Sequence, residues 1–317
     1  MWFPNMPEDC SLDPGDRSAA DGVVPECPVW LDLACLRPRQ QLLLELTRAV
    51  VAVLRAEGLE VWITGGTLLG ALRHGGFVPH DDDIDLECFE ADVNAIAAAF
   101  ERHALLAFRL GGRWKETQVA HVGLRGAEVE LDIFLREAEL AELSDFPSRS
   151  ETLPLARCDF NGLSLPAPAA PVSFLSRFYG EDWSNTVRVW SHDFNEIHGL
   201  AHDPDRVNMP LEQYRDVVAT AGYVPPAPPA PLAAPTVGEG CEAGEREHVA
   251  VREAEEALAA LEALFRPGGP AEAYKRARDA SWLEKLRRRN REQAEAQLQR
   301  AGDKGGDRDD DSRRDAA

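Results

Sequence analysis

Apolar residues recur at helical spacing from Pro38 to Glu57, with Leu42, Leu43, Leu46, Val50, Val53 and Leu54 along one side and Gly58 as a stop signal. The period then shortens. LEVWITGG, ending at Gly66, reads as a short strand closed by two glycines, and TLLGALRHGG as a short helix or tight turn. HDDDIDLECF predicts a strand and ADVNAIAAAFERH a helix; LLAFRL, TQVAHVGL and EVELDIFL supply three further strands with partial alternation. Strands interleaved with helices imply an α/β or α+β catalytic core from Pro38 to about residue 200.

The flanks are patterned differently. Residues 1–28 carry Pro, Gly, Asp and Ser without a period and read as a loose arm. After the core, LSLPAPAAPVSFLSRFYGEDW predicts a proline-containing loop and a small helix from Ser173 to Tyr179. YVPPAPPAPLAAP excludes regular helix or central strand, so residues 223–245 read as a linker after a catalytic domain of residues 29–222. Val249, Ala254, Ala257, Leu258, Leu261, Leu264 and Phe265 then share one helical face. With a more polar, arginine-rich helix from Ala271 to Ala301 they predict a helical appendage over 246–301, followed by a disordered charged tail, 302–317.

Charge narrows the partners. With 34 basic and 55 acidic side chains the net charge is -21, which argues against nucleic acid and anionic membranes as partners. Phosphate chemistry on such a chain needs local arginines or bound cations. The six cysteines form no CxxC pair and no compact zinc spacing, a usage suited to a reducing compartment. The start, MWFPNMPEDC, lacks the features of a secretion signal, and no apolar run reaches membrane-spanning length. The expectation is a cytoplasmic protein whose membrane contact, if any, comes through a partner or a lipid-linked substrate.

The densest chemical signal runs from Ile63 to Leu86, ITGGTLLGALRHGGFVPHDDDIDL. Gly65 and Gly66 remove side chains at a strand-to-helix turn, which lets backbone N–H groups approach a phosphate, and Thr67 caps that helix or adds its hydroxyl. If the aspartates lie on a strand, Asp81, Asp83 and Asp85 project to one side and Asp82 to the other. Like charges this dense call for a cation, and oxygen ligands suit Mg²⁺ or Mn²⁺; a solvated turn or a calcium loop is the plainer reading. In EVELDIFL, Glu130 and Asp132 oppose Val129, Leu131 and Ile133, which makes Asp132 a second carboxylate source. Lys115 stands close enough to the following strand to reach phosphate, and His121 lies within that strand.

These residues resemble the LicD family, whose members include phosphocholine transferases of bacterial surface glycans and the fukutin-type ribitol-phosphate transferases. The resemblance rests on Gly65, Gly66, Thr67, Leu68, Leu69 and Gly70, on Arg73 and His74, and on the acidic run Asp81, Asp82, Asp83 and Asp85. Asp132, Ile133 and Phe134 match the family's later strand, and Tyr179, Gly180 and Trp183 its closing motif. His80 departs from the family's usual Trp.

The resemblance implies an α+β, nucleotidyltransferase-like mixed sheet flanked by helices, with the helical appendage beyond it. It implies Asp83 and Asp85 as a metal pair, Asp81 as a further metal or substrate carboxylate, and Asp132 completing the set as base or second metal holder. Gly65, Gly66 and Thr67 would face donor phosphates, with Arg73 stabilising departing charge or forming a surface ion pair. His74 and His80 would orient an oxygen, ligate metal or serve structure. The implied reaction moves phosphocholine or a polyol phosphate from a CDP-linked donor to a hydroxyl on a glycan or related acceptor. Nucleotidyl transfer to a small molecule, protein or RNA, and an inactive scaffold, are the alternatives.

Overall fold

The computed structural model describes residues 31–89, 92–114, 117–137, 148–189, 208–226 and 243–282. The N-terminal arm, Lys115, most of the proline-rich linker and the charged tail lie outside the described residues.

The first helix, α1, spans Leu33–Ala56, longer at its start than the sequence pattern predicts. Asp32 caps it by accepting from the Cys35 N–H at 3.3 Å, and Pro38 sits inside the helix rather than opening it. Pro38 lies two residues past the first ladder bond, from the Leu36 N–H to the Asp32 carbonyl, so the helix forgoes the bond that position 38 would give to the Ala34 carbonyl. The apolar stripe of α1 packs on the central sheet.

That sheet has five strands: β1 (Trp62–Ile63), β2 (Asp85–Phe89), β3 (Leu106–Trp114), β4 (Thr117–Leu124) and β5 (Val129–Arg136). Their order is β1-β2-β5-β4-β3, with β2 and β5 parallel and every other neighbouring pair antiparallel. Helix α2 (Gly65–His74) links β1 to the acidic run, and α3 (Val93–Glu101) packs on β3. The fold is therefore α+β around a mixed sheet. On β5, Val129, Leu131, Ile133 and Leu135 enter the core while Glu130, Asp132 and Phe134 face the other way.

Asp81 to Ile84 is not strand; the ladder begins only at Asp85, where β5 offers Asp132 as partner. The alternation of burial persists without the ladder. Asp82 and Ile84 are buried, whereas Asp81, Asp83 and Asp85 are partly open.

Two elements escaped the sequence reading. Strands β6 (Ala156–Phe160) and β7 (Leu163–Ala167) form a hairpin whose turn residues Asn161 and Gly162 both have positive φ, 49° and 82°. Asn-Gly between alternating residues is a strong hairpin signal. At its tip Asn161 Oδ1 accepts from the Phe77 N–H at 2.9 Å, and the Asn161 N–H donates to the Gly75 carbonyl at 2.8 Å. The second is a short ribbon of β8 (Thr186–Arg188) and β9 (Asn208–Pro210) followed by α6 (Leu211–Thr220). It builds a small apolar cluster around Tyr214 with Leu31 and Leu36.

Short helices α4 (Arg149–Thr152) and α5 (Pro171–Tyr179) are joined by Glu151, which closes the α4 capping box and accepts from both Arg177 terminal nitrogens at 2.8 Å. Hydrogen bonding by Arg177 pulls the Glu151 carboxyl down to about 2. A depressed folded-state pKa contributes stability above the unfolded value near 4.5 that is lost as pH falls toward 2. Glu151→Gln should remove this part of acid unfolding, seen as a shallower decline of melting temperature across that window.

The helix expected to open an appendage is α7 (Ala243–Ala263). It packs along α1, and Ala254, Ala257, Leu261 and Leu264 join the main core. The first compact unit accordingly extends to Tyr274. Of the second unit, 275–317, residues 275–282 are described and helical. No helix among the described residues is long and apolar enough to cross a membrane.

Candidate active site

The parallel register of β2 and β5 sets Asp85 directly beside Asp132 on one face of the sheet. Both residues are at the start of the paired segment, where the Asp132 N–H donates to the Ile84 carbonyl at 2.9 Å. Two carboxylates 47 positions apart in sequence thus become neighbours through one ladder step. Asp81 and Asp83 reach the same place from the irregular run before β2.

The glycine turn meets this cluster from above β2. The Gly66 N–H, in the first turn of α2, donates to Asp85 Oδ2 at 2.9 Å. Gly65 has φ of 50°, and a Cβ there would lie 2.4 Å from Asp85 Oδ2; one at Gly66 would lie 3.0 Å from Asp81 Oδ2. The glycines therefore make room for carboxylates, and the expected phosphate cradle is in part a carboxylate cradle. Thr67 likewise turns inward: its hydroxyl accepts from the Asp85 N–H at 2.8 Å. Its residue is 2% exposed, so the hydroxyl orients β2 rather than meeting a phosphate.

Helix α1 anchors the acidic run from behind. Gln40 donates to the Asp81 carbonyl at 2.8 Å, and Arg39 stands 4.0 Å from buried Asp82. Single carboxylate oxygens of Asp81, Asp82 and Asp83 lie within 4.8 Å of one another. That trio includes Asp82 in place of Asp85, yet Asp82 is 3% exposed and faces Arg39, which marks it as an anchor of the run. Burial first, then the charges of Asp83, Asp82 and Asp85, pushes the Asp81 carboxyl well above the usual range. Such a site binds a proton readily, and by the same electrostatics a cation.

Arg73 and His74 are placed otherwise than expected. Arg73 donates to the carbonyls of Trp183 at 2.9 Å and Thr186 at 3.1 Å, and through Nε to His74 Nε2 at 2.9 Å. At 8% exposure it ties α2 to the closing segment; burial draws its pKa down to about 10. His74, as acceptor in a buried position beside Arg73, is held neutral, its pKa lowered to about 2. Both are framework residues here because the segment after α5 supplies carbonyls just where the guanidinium ends. His80 is buried with Nδ1 2.7 Å from the Tyr214 hydroxyl, so the residue replacing the family's Trp is held by α6.

Two site residues were assigned elsewhere or given little weight in sequence. Tyr179, matched in sequence only to the closing motif, ends α5 near the cluster: after burial, the charges of Asp85, Asp81 and Asp83 push its phenol well above the usual range. It stays protonated and can donate. His121 lies opposite Asp132 on β4, with Nδ1 2.6 Å from Asp132 Oδ1. Its position in TQVAHVGL, on the same face as the polar residues of β5, was the available signal.

The segment that carries these residues is similar to known proteins. Residues 58–170 match the family model described as LicD/FKTN/FKRP, nucleotidyltransferase domain. The mouse protein Ribitol 5-phosphate transferase FKRP is 47% identical over 64 residues, covering 20% of this chain and 12% of that protein. Mouse Ribitol-5-phosphate transferase FKTN is 26% identical over 158 residues, 46% of this chain and 34% of that one. Uncharacterized protein RT0683 of Rickettsia typhi is 29% identical over 163 residues, 48% and 50% of the two chains. The chain thus matches half or less of the length of each of these relatives. The glycine turn, the acidic run and Asp132 all lie in the segment that matches the LicD family.

Proposed function

We propose that this chain is a cation-dependent phosphotransferase. It would move a phospho-alcohol, phosphocholine or a polyol phosphate, from a CDP-linked donor to a hydroxyl of a glycan or related acceptor. The observation that carries the reading is the Asp85–Asp132 pair on adjacent parallel strands, joined by Asp81 and Asp83 at the N-terminus of α2. Its kinship to two proteins named as ribitol phosphate transferases supports the group transferred.

The donor set suits a hard divalent ion. Carboxylates gathered around the Gly65–Gly66 turn, with Asp85 paired to Asp132, match the oxygen ligands that Mg²⁺ or Mn²⁺ takes, with remaining positions left to water and phosphate. Asp81, Asp83, Asp85 and Asp132 would hold it, and a bound cation would offset the charge of a donor diphosphate. The chain's own groups do the rest. The Gly66 N–H and Thr67 hydroxyl fix Asp85, Tyr179 offers a phenolic proton, and Asp132 accepts the proton of the attacking hydroxyl or aids in holding the cation. Arg73 and His74 position the closing segment; Lys115 is proposed to meet donor phosphate.

In the proposed reaction the acceptor oxygen bonds to the phosphorus that carries the alcohol. The bond from that phosphorus to the bridging oxygen breaks, nucleoside monophosphate leaves, and the hydroxyl proton passes to the base.

The test is to incubate the purified chain with Mg²⁺ and a panel of CDP-linked alcohols, following nucleoside monophosphate release even as slow hydrolysis. Release should fall about 100–1000-fold in Asp83→Ala, the scale expected when one stabilising group at phosphorus is removed. Pyrophosphate release from a plain nucleoside triphosphate would replace this reading with nucleotidyl transfer.

A further inference from the structure

Four side chains stand in one row across four strands. Asp85 on β2 pairs with Asp132 on β5, Asp132 with His121 on β4, and His121 with Arg109 on β3. We infer that His121 is a positioning residue that sets the rotamer of Asp132 through its Nδ1–H, and that Gly111 is glycine to admit the imidazole.

The hydrogen bond is short and its competitor is not. Nδ1 lies 2.6 Å from Asp132 Oδ1 and 4.0 Å from Glu130 Oε1, while Glu130 is engaged by Arg109 at 2.6 Å. Arg109 thereby keeps Glu130 from drawing the ring away from Asp132. An ionised carboxylate only accepts, so the Nδ1 nitrogen carries the proton in this pair. His121 has 7% of its side chain exposed and Asp132 18%, so little water competes for the bond.

The far edge of the ring is fixed by space. Strand β3 bulges between Leu110 and Arg113, and a Cβ at Gly111 would fall 2.2 Å from His121 Nε2. Any larger residue there displaces the imidazole or the bulge. Held at both nitrogen edges, the ring pins one Asp132 oxygen and leaves the other to act at the site. Carboxylates that serve a cation or a proton are commonly oriented in this way by a second hydrogen-bonding group.

This inference rests on the proposed role of Asp132, and the test separates the two. Asn places an amide donor where Nδ1 stood, Gln reaches toward the Nε2 position, and Phe keeps bulk without a donor. Relative to wild type, His121→Phe and His121→Gln should lose about 10–100-fold in Mn²⁺ affinity measured on the protein alone, and similarly in nucleoside monophosphate release. His121→Asn should recover most of both losses, with all melting temperatures within a few degrees. Gly111→Ala should resemble His121→Phe. Equal Mn²⁺ affinity in wild type, H121F and H121Q, or no recovery in a folded H121N, would overturn the assignment.

A third readout needs neither donor nor metal. In ¹⁵N-histidine spectra the His121 Nδ1–H resonance should be strongly downfield and should move upfield in Asp132→Asn. If wild type turned over no CDP-linked donor and bound no Mn²⁺, the proposed function would fall, while this signal would still decide the orientation of Asp132. An unchanged signal in D132N would overturn the hydrogen bond itself.

Discussion

Gly65→Ala is expected to reduce turnover by about 100-fold or more, because the new methyl group would occupy the place of an Asp85 carboxylate oxygen. Its Cβ would sit 2.4 Å from Asp85 Oδ2 and 3.0 Å from the carboxyl carbon, contacts that no side chain tolerates. Asp85 must then rotate out of its bond with the Gly66 N–H, and the pairing with Asp132 loses its geometry. A second cost comes from φ of 50°, a left-handed conformation that costs an alanine about 1–2 kcal/mol. Gly58→Ala separates the two. Gly58 also has positive φ, 71°, but nothing lies within 4 Å of its Cβ position. Both variants should melt a few degrees lower, whereas only Gly65→Ala should lose activity and Mn²⁺ affinity. Equal activities would mean that glycine at this turn serves the backbone alone.

The largest loss of stability should come from Glu87→Ala. Glu87 is fully buried two residues along β2 from Asp85, where Arg136 Nη1 donates to Oε1 at 2.5 Å and Trp62 Nε1 to Oε2 at 3.1 Å. Removing the carboxylate takes an acceptor from a guanidinium with 4% side-chain exposure and from an indole N–H. Breaking a buried pair from one side typically costs about 3–5 kcal/mol. For a domain of this size that corresponds to a drop of roughly 10 °C in melting temperature, at about 2–4 °C per kcal/mol. Replacing both partners by methionine should regain much of it, since no buried cation then loses its carboxylate. A double variant no more stable than Glu87→Ala would show that the pair itself contributes, rather than the desolvation of its cation setting the loss.

Local pattern carried most of the elements. The stripe of α1, the run GGTLLG of α2 and the alternation in EVELDIFL are all visible because each reports burial within one element. What the pattern did not contain was adjacency: nothing within DDDID or EVELDIFL says that β2 and β5 run parallel and side by side. That step alone brings Asp85 to Asp132. Strand character was overextended at Asp81 to Ile84 because alternation of burial survives there without a partner strand. Arg73 looked like a phosphate ligand for a related reason. Its acceptors, the Trp183 and Thr186 carbonyls, are 110 and 113 positions away, and a backbone carbonyl leaves no residue-type signal. The Asn161-Gly162 turn, by contrast, was a local signal that the proline content around it obscured.

The tip of that hairpin has a consequence for synthesis. The stretch from Gly75 to Phe77, which leads into the aspartates, is fastened by Asn161, 84 residues later than Phe77. A nascent chain therefore exposes its acidic run well before the residue that fixes the approach to it has been translated. During that interval the aspartates repel one another without their final frame. A cation meeting the chain at this stage would find loose ligands, and tight binding would have to wait for the hairpin to dock. Metal affinity in a series of C-terminally shortened chains should then rise in a step once the hairpin is included, rather than when the last aspartate appears.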